Sequence, residues 1–348
     1  MDYKIYSKFV LKKMKISILI PTKNRLPILQ ETLHNIYFVN KLPKEDFEVI
    51  VSNDGDDILS VLYNEFPFDN LKIVKNTHKP GAAGNRNNAV DYAQYDLLQF
   101  LDDDILITDN FLERVLYIHN QFNNIVLCGN RIYPQHLIEQ AEQISFGRYK
   151  LKYEYNWNTI EKNEELINQL YVVDSLASFS ISMKRETFDE IGDFDENFDY
   201  AGCEDAEFFY RASQKNVKLL FDEKNICYHN ELDNFTLDTW LRRQSTGIRS
   251  AVVVCKLHPE GQNHPTWYTN TPLKKSDPKD VKLLKLKKIF CSFPPVYNFI
   301  HFLAIYSEKI KFPDSFLFIL YNALWLGATY REFREAYKEI FKNKKHED

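Results

Sequence analysis

Short apolar runs alternate with stretches of helical periodicity along the first part of the chain. Residues 16–20, 47–51 and 97–101 are predominantly apolar and have the length of buried strands. Between such runs, apolar residues recur at helical spacing, as in residues 26–37 and 111–119. Strands separated by helices predict an α/β fold, with a Rossmann-like, mostly parallel sheet and helices on both faces.

The pattern changes twice farther along the chain. Residues 130–171 are polar and rich in tyrosine, and strand and helix patterns then return up to residue 254. Past residue 259, a lysine-rich segment leads into two apolar runs, residues 296–306 and 316–328, which predict a helical C-terminal extension. The predicted parts are an N-terminal extension over 1–14, an α/β domain over 15–258 whose halves meet near residue 130, and a helical C-terminal region over 259–348.

Composition and charge exclude several classes of protein. The 348 residues include 26 Phe, 21 Tyr and 4 Trp but only 10 Gly, which excludes a collagen-like chain and argues against extensive disorder. The formal net charge is −5, from 44 basic and 49 acidic residues, so no overall basic field attracts nucleic acid. We therefore expect a globular protein without a nucleic-acid partner.

The cysteines and the N-terminus bear on the compartment. Five widely spaced cysteines without a CxxC pair form neither a disulfide framework nor a zinc knuckle, and they suit a reducing environment. The N-terminus carries Lys4, Lys8, Lys12 and Lys13, but the apolar run that follows, residues 16–20, is shorter than the roughly 7–15 apolar residues of a secretory signal. These features predict a cytoplasmic protein.

The most specific chemical signal is a run of three carboxylates, Asp102, Asp103 and Asp104, directly after an apolar strand. Adjacent carboxylates repel one another unless solvent or a cation screens them. Such oxygen ligands suit Mg²⁺ or Mn²⁺ that also binds phosphate oxygens. A solvated acidic turn is the alternative interpretation, and the buried strand that leads into the run favours a site.

Three further clusters carry candidate chemistry. Glu204 and Asp205 follow a glycine turn at a predicted helix start, where the helix dipole favours ionised carboxylates; helix capping is the alternative. Residues 81–87 form a small-residue loop that opens a helix and contains Arg86, a usable anion contact or simply a close packing point. His229 stands alone in the sequence, and a lone histidine is more often a structural hydrogen-bonding residue than a metal ligand.

Taken in order, these segments resemble the family-2 glycosyltransferases of the GT-A fold, over about residues 15–254. The matching segments are residues 20–25, 51–57, 100–104, 191–196 and 202–205, together with Asn76, Gly81, Arg86 and Asn87. Two departures stand out. Asn53 occupies a position where the family usually has Asp, and residues 176–178 replace a common Gly-Gly-Asn.

The resemblance implies a function and a set of site residues. It implies inverting transfer of a sugar from a nucleotide-diphosphate donor, most often a UDP-sugar in this family. The acceptor would be a hydroxyl of a glycan or lipid-linked molecule in cell-surface polysaccharide synthesis. A Mn²⁺ or Mg²⁺ ion would be the cofactor. The implied general base is Asp205, with Glu204 on the acceptor side, and the implied metal ligands are Asp104 and His229. The implied nucleotide-sugar contacts are Pro21, Thr22, Arg25, Asn53, Asp54, Arg86, Asp102 and Asp103.

Alternatives remain open at this stage. A sugar nucleotidyltransferase also combines an α/β sheet with acidic metal ligands, but residues 21–25 lack the glycine of its usual loop. A carbohydrate-binding protein that kept the fold without turnover is a non-enzymatic alternative.

The role of the C-terminal helices is also open. They could contact the inner face of the membrane as a peripheral anchor, the α/β domain, or a second copy in a homo-oligomer.

Overall fold

The computed structural model describes residues 14–56, 59–154, 161–198, 202–231, 236–260 and 265–342. The chain divides into two compact units. The first comprises Met1–Pro134, Trp157–Glu196 and Asp205–Asn230, and the second comprises Gln135–Asn156, Asn197–Glu204 and Glu231–Asp348. The domain boundaries drawn from the sequence stay a prediction.

The first unit contains a ten-stranded mixed sheet. Its strands are β1 (Ile16–Thr22), β2 (Phe47–Asn53), β3 (Leu71–Lys75), β4 (Leu97–Leu101), β5 (Ile105–Ile107), β6 (Ile125–Ile132), β7 (Lys162–Ile167), β8 (Leu170–Val173), β9 (Ser180–Lys184) and β10 (Lys218–His229). The order is β3-β2-β1-β4-β9-β6-β10-β8-β7, with β5 paired to β10. The first four strands in this order run parallel, and β9 enters antiparallel between β4 and β6.

The parallel strands β1, β2 and β4 are mostly apolar because both of their faces are covered. Apart from Pro21, every residue of β1 is buried, as expected for a central strand with helices on both sides.

The α-helices of the two units, in chain order, are α1 (Leu26–His34), α2 (Leu62–Glu65), α3 (Ala82–Asp91), α4 (Phe111–Gln121), α5 (Gln135–Glu142), α6 (Ser145–Glu154), α7 (Arg185–Ile191), α8 (Glu204–Gln214), α9 (Leu237–Leu257), α10 (Pro265–Tyr268), α11 (Lys279–Ser292), α12 (Pro294–Lys309) and α13 (Asp314–Lys342).

The second unit is helical. Aromatic rings from α6, α9 and α13 form its main core, in which Tyr149 stands edge-on to both Trp240 and Tyr321. Within the described residues, no single helix is long and apolar enough to cross a membrane. The helices α11 and α12 pass that test only together, as a pair bent by 80° at the break between them.

The predicted α/β class and the helical C-terminal region are confirmed. The polar stretch at residues 130–171 is more ordered than its pattern indicates, since it contains α5, α6, β7 and part of β8. The alternation of apolar and polar residues is weak in β7 because this strand lies at the sheet edge and exposes most of its residues. The antiparallel entry of β9 likewise has no signature in the hydrophobic pattern.

Candidate active site at the strand ends

The polar residues that follow the parallel strands meet at one edge of the sheet. Thr22, the last residue of β1, stands opposite Asn53, the last residue of β2. The carboxylate run begins directly after β4, the other neighbour of β1. The parallel register therefore brings the predicted clusters together, as it does wherever strands of one direction end at the same edge.

Asp103, the middle carboxylate of the run, turns inward. Its two oxygens accept hydrogen bonds from Thr22 Oγ1 at 2.6 Å and from Arg25 Nη1 at 2.8 Å, and the side chain is almost completely buried. Burial raises the pKa of Asp103 to about 7, although the Arg25 charge opposes the rise. This carboxylate holds the β1–α1 loop against the run.

Asp102 pairs with an arginine from another element. Arg86, in α3, donates from Nη2 to Asp102 Oδ1 at 3.0 Å, and the guanidinium is itself buried. The Asp102 side chain is 33% exposed, yet it lies deep enough in the fold that burial raises its pKa in spite of the Arg86 charge. A buried cation and a partly exposed carboxylate therefore stand side by side at the strand ends.

Asp104 contacts two basic side chains. Arg25 donates from Nη2 to Asp104 Oδ2 at 2.9 Å, and His229 Nε2 lies 3.5 Å from the same oxygen. Burial alone would raise the pKa of Asp104, but hydrogen bonding and charge from His229, together with Arg25, outweigh it and hold the pKa well below its ordinary value. Asp104 is thus the member of the run held ionised most firmly.

The Asp104–His229 pair fits a divalent ion. Neighbouring ligands of an octahedral ion at about 2.1 Å lie about 3 Å apart, close to the observed 3.5 Å. Carboxylate oxygens suit both Mg²⁺ and Mn²⁺, whereas an imidazole nitrogen suits the transition metal Mn²⁺ better than Mg²⁺. Arg25 donates to the same Asp104 oxygen, so an ion bound there would compete with that guanidinium.

Asn53 and Asp54 are engaged by the protein's own backbone and side chains. Asn53 Oδ1 accepts from the Gly55 amide at 2.8 Å. Asp54 accepts from Lys23, from the Asn76 amide group at 2.8 Å and from the Gly81 backbone at 3.1 Å. Asp54 therefore links the loops after β1, β2 and β3. Its direct contact with a nucleotide stays a prediction.

A hydrogen-bond network that the sequence did not reveal holds the helix that carries Arg86. The neighbouring Asn87 forms a pair of hydrogen bonds with the backbone of Phe194, at 2.9 and 3.0 Å. Asn87 also donates to Glu196, which accepts from His78 at 2.7 Å. The segment around residues 191–196 thereby fixes the helix that carries Arg86. Only the order of the motifs hinted at this link, since 107 residues separate Asn87 from Phe194.

Glu204 and Asp205 lie at the start of α8, which begins at Glu204. Glu204 accepts from the Gly202 amide at 2.7 Å, and Gly202 has a φ of 115°, a conformation that favours glycine. Asp205 accepts from the Ala206 amide at 2.8 Å and from the Ser178 amide at 3.4 Å. Both donors are main-chain amides, so the backbone fixes the direction of the Asp205 carboxylate.

A two-residue segment connects Asp205 to the carboxylate run. The Ser178 amide donates to Asp205, and the carbonyl of the next residue, Phe179, accepts from the Asp102 amide at 3.0 Å. The guanidinium carbon of Arg131 lies 4.8 Å from the centre of the Phe179 ring, over its face. Asp205 and Asp102 are therefore held by one short piece of main chain, although 103 residues separate them in the sequence. The roles assigned to the site residues from the sequence stay predictions.

Comparison with known proteins points in one direction. The family model described as "Glycosyl transferase family 2" matches residues 17–192, just over half of the chain. The chondroitin synthase of Pasteurella multocida (strain Pm70) is 28% identical over 249 residues, which cover 64% of this chain and 25% of that protein. The Campylobacter jejuni "GalNAc(5)-diNAcBac-PP-undecaprenol beta-1,3-glucosyltransferase" is 27% identical over 188 residues, covering 53% of this chain and 56% of that protein.

The structural comparison agrees on the fold. The solved structure of "GalNAc-T7 with UDP, GalNAc and Mn2+" superposes with a TM-score of 0.54 at 17% identity, covering 78% of this chain and 54% of that one. The chain spans a quarter of the first relative and about half of the second, so their whole activities do not transfer to it directly. The match to the family model is decisive: the chain is a glycosyltransferase and belongs to glycosyl transferase family 2.

Proposed function

We propose that the protein transfers a hexosyl group, with inversion, from a nucleoside-diphosphate sugar to a hydroxyl of a glycan or lipid-linked acceptor in cell-surface polysaccharide synthesis. The observation that carries the proposal is the Ser178–Phe179 segment, which holds Asp205 beside the carboxylate run. A proton acceptor next to a candidate diphosphate and metal site is what such a transfer needs.

The donor would bind at the strand ends. Arg25 and Arg86 supply positive charge toward a diphosphate, and Asp102, partly exposed beside Arg86, is placed to accept from a ribose hydroxyl. Asp104 and His229 would hold Mn²⁺ or Mg²⁺, which when bound supplies charge to stabilise the departing diphosphate. The neighbour solved with UDP and Mn²⁺ supports this assignment, and we take UDP as the donor nucleotide.

The base step falls to Asp205. Its carboxylate would take the proton of the acceptor hydroxyl as that oxygen attacks the anomeric carbon from the side opposite the diphosphate. One base without a covalent intermediate gives inversion, and an α-linked donor then yields a β-linkage. Glu204, buried beside it and bonded to the Gly202 amide, would position the acceptor. A chondroitin synthase and an undecaprenol-linked glucosyltransferase among the relatives support a glycan or lipid-linked acceptor.

The compartment is part of the proposal. All five cysteines, each within the described residues, are free thiols, and four of them are buried. Free thiols suit a reducing environment. We therefore propose that the protein acts in the cytoplasm.

The decisive experiment is Asp205→Asn, measured against Asp69→Asn, a control at an exposed turn position. We first identify the donor by thermal-shift screening of nucleotide sugars with Mn²⁺, since a bound donor raises the unfolding temperature. Asp205→Asn should lower transfer at least a hundredfold and keep the donor-induced shift, whereas the control should keep both. Loss of the shift in the folded variant would contradict the role of Asp205.

The same assay separates the alternatives. A sugar nucleotidyltransferase would consume a nucleoside triphosphate and a sugar 1-phosphate and release pyrophosphate. A binding protein would show the thermal shift without transfer or donor hydrolysis. Release of nucleoside diphosphate that depends on an added acceptor is the result that supports the proposed reaction.

A further inference from the structure

The helix α11 buries two lysines and exposes large apolar side chains. Two of its lysines, Lys285 and Lys288, are buried, with exposures of 1% and 6%. Leu283, Leu286 and Phe290, at helical spacing along one side, are 50–62% exposed. A helix in contact with water normally buries its apolar side. The opposite arrangement indicates that something other than water covers the outer side.

Polar contacts fix α11 in this orientation. Lys285 Nζ donates to Asp277 Oδ2 at 2.8 Å and to Thr271 Oγ1 at 3.2 Å. Lys288 Nζ donates to Thr269 Oγ1 and Asn270 Oδ1, both at 2.9 Å. These bonds attach the inner side of α11 to the segment that precedes it. Rotating the helix to hide its apolar side would break the contacts and leave buried polar groups without partners.

Large apolar side chains are also exposed past the end of α11. Phe293, at the 80° break between the helices, is 59% exposed. On α12, Phe299 and Phe302 are each 63% exposed and Tyr306 is 51% exposed, again at helical spacing. We call Leu283, Leu286, Phe290, Phe293, Phe299, Phe302 and Tyr306 the apolar face. Large aromatic side chains concentrated in this way mark a contact surface rather than scattered surface residues.

Charge identifies what the apolar face contacts. Residues 271–311 contain nine lysines against three acidic residues, although the whole chain has a net charge of −5. Besides the two buried lysines, this segment has exposed lysines on both helices and just beyond them, among them Lys279, Lys287, Lys309 and Lys311. Exposed phenylalanines accompanied by lysines complement a surface that is anionic outside and apolar beneath.

We propose that the apolar face docks into the headgroup region of an anionic membrane, with α11 and α12 lying in the interface and the lysines contacting lipid phosphates. A second copy of the chain is a poorer occupant, because like-charged lysines would then face one another. The docking does not depend on donor chemistry, so its failure would leave the proposed transfer intact. Conversely, vesicle binding without transfer would contradict only the proposed function.

The test is co-sedimentation of the full chain with vesicles of phosphatidylcholine alone or with phosphatidylglycerol added. We expect binding to the anionic vesicles at low salt and release by high salt or alkaline carbonate, as for an interfacial protein. The double variant Phe299→Ser, Phe302→Ser should bind at least tenfold more weakly. Phe38→Ser, at a phenylalanine of the first unit that is 56% exposed, should bind like the wild type.

A second set of variants tests the charge. Replacing Lys287, Lys309 and Lys311 with Gln should weaken binding to anionic vesicles at least tenfold and leave the thermal unfolding temperature unchanged. Wild-type binding by either set of variants, or no vesicle binding at all, would overturn the proposal. Retention after carbonate extraction would overturn it in favour of insertion. A dimer in ultracentrifugation that the double Phe variant dissociates, without vesicle binding, would favour a second copy.

Discussion

Buried charge serves opposite purposes in the two units of this protein. At the strand ends of the first unit, carboxylates and guanidinium groups face one another, as in the contacts of Arg25 with Asp103 and Asp104. In α11 of the second unit, two buried lysines contact one carboxylate and several neutral oxygens. In the proposed function, the first arrangement keeps charged groups close to the donor diphosphate. The second fixes a helix so that its apolar side points outward.

Removal of divalent metal should have the largest effect and acts on the first unit alone. Because Asp104 and His229 form the candidate ion site, chelation with EDTA should lower transfer at least a hundredfold, and Mn²⁺ or Mg²⁺ should restore it. His229→Ala should raise the metal concentration required about tenfold. Vesicle binding in EDTA serves as the control and should not change. Full transfer activity in chelator would contradict the metal assignment.

Arg25→Met should have the next largest effect, on the stability of the folded first unit. It leaves Asp103 and Asp104 without their shared cation, and we expect a loss of about 2 kcal/mol in the free energy of unfolding. The loss stays below that of a fully buried pair because 34% of the Arg25 side chain is exposed. Urea denaturation measures it. Lys23→Met, at a 59% exposed partner of Asp54, is the control and should cost little; equal losses would contradict the assignment.

Titration of Lys288 in the second unit should change the free energy of unfolding by about as much as Arg25→Met, in a way that depends on pH. Burial lowers the pKa of Lys288 to about 8, and the Lys285 charge adds to the shift. Above pH 8 the folded chain has released a proton that the unfolded chain still holds. The free energy of unfolding should therefore rise by about 2 kcal/mol between pH 8 and pH 10. Lys288→Met should lack this rise and Lys287→Met should keep it, in urea denaturation at several pH values. Parallel curves for all three proteins would contradict the burial argument.

Thr22→Val should have the smallest effect. It removes the hydroxyl that donates to Asp103 at 2.6 Å, and the isosteric side chain leaves the packing in place. We expect a loss of about 1 kcal/mol in the free energy of unfolding and a further rise in the pKa of Asp103. Denaturation and carboxyl NMR titration measure the two quantities. Thr22→Ser keeps the hydroxyl and should restore both, and failure of that rescue would assign the effect to packing.

The sequence predicts the gathering of the site residues but not their orientation. Parallel strands end at one edge, so Thr22, Asn53 and Asp102 could be expected to meet there. That Asp103 turns inward and Asp54 turns to the neighbouring loops depends on turn geometry after the strand ends. Hydrophobic periodicity carries no information on that geometry.

The C-terminal helices show a second limit of prediction. Apolar spacing identifies a helix and its two sides, and burial of the apolar side is then assumed. In α11 that assumption fails, because Lys285 and Lys288 satisfy oxygens in residues 269–277. Those partners belong to an irregular segment without periodicity. Only the tertiary contacts show which side faces inward.

The Ser178–Phe179 segment has a consequence for how the enzyme can diverge. Both of its hydrogen bonds, to Asp205 and from Asp102, use main-chain atoms. At Ser178, any substitution other than proline therefore keeps the main-chain amide that donates to Asp205, whereas Phe179 is buried in the core and tolerates less change. Ser178, which stands where the family resemblance places a common Asn, is a change of that kind.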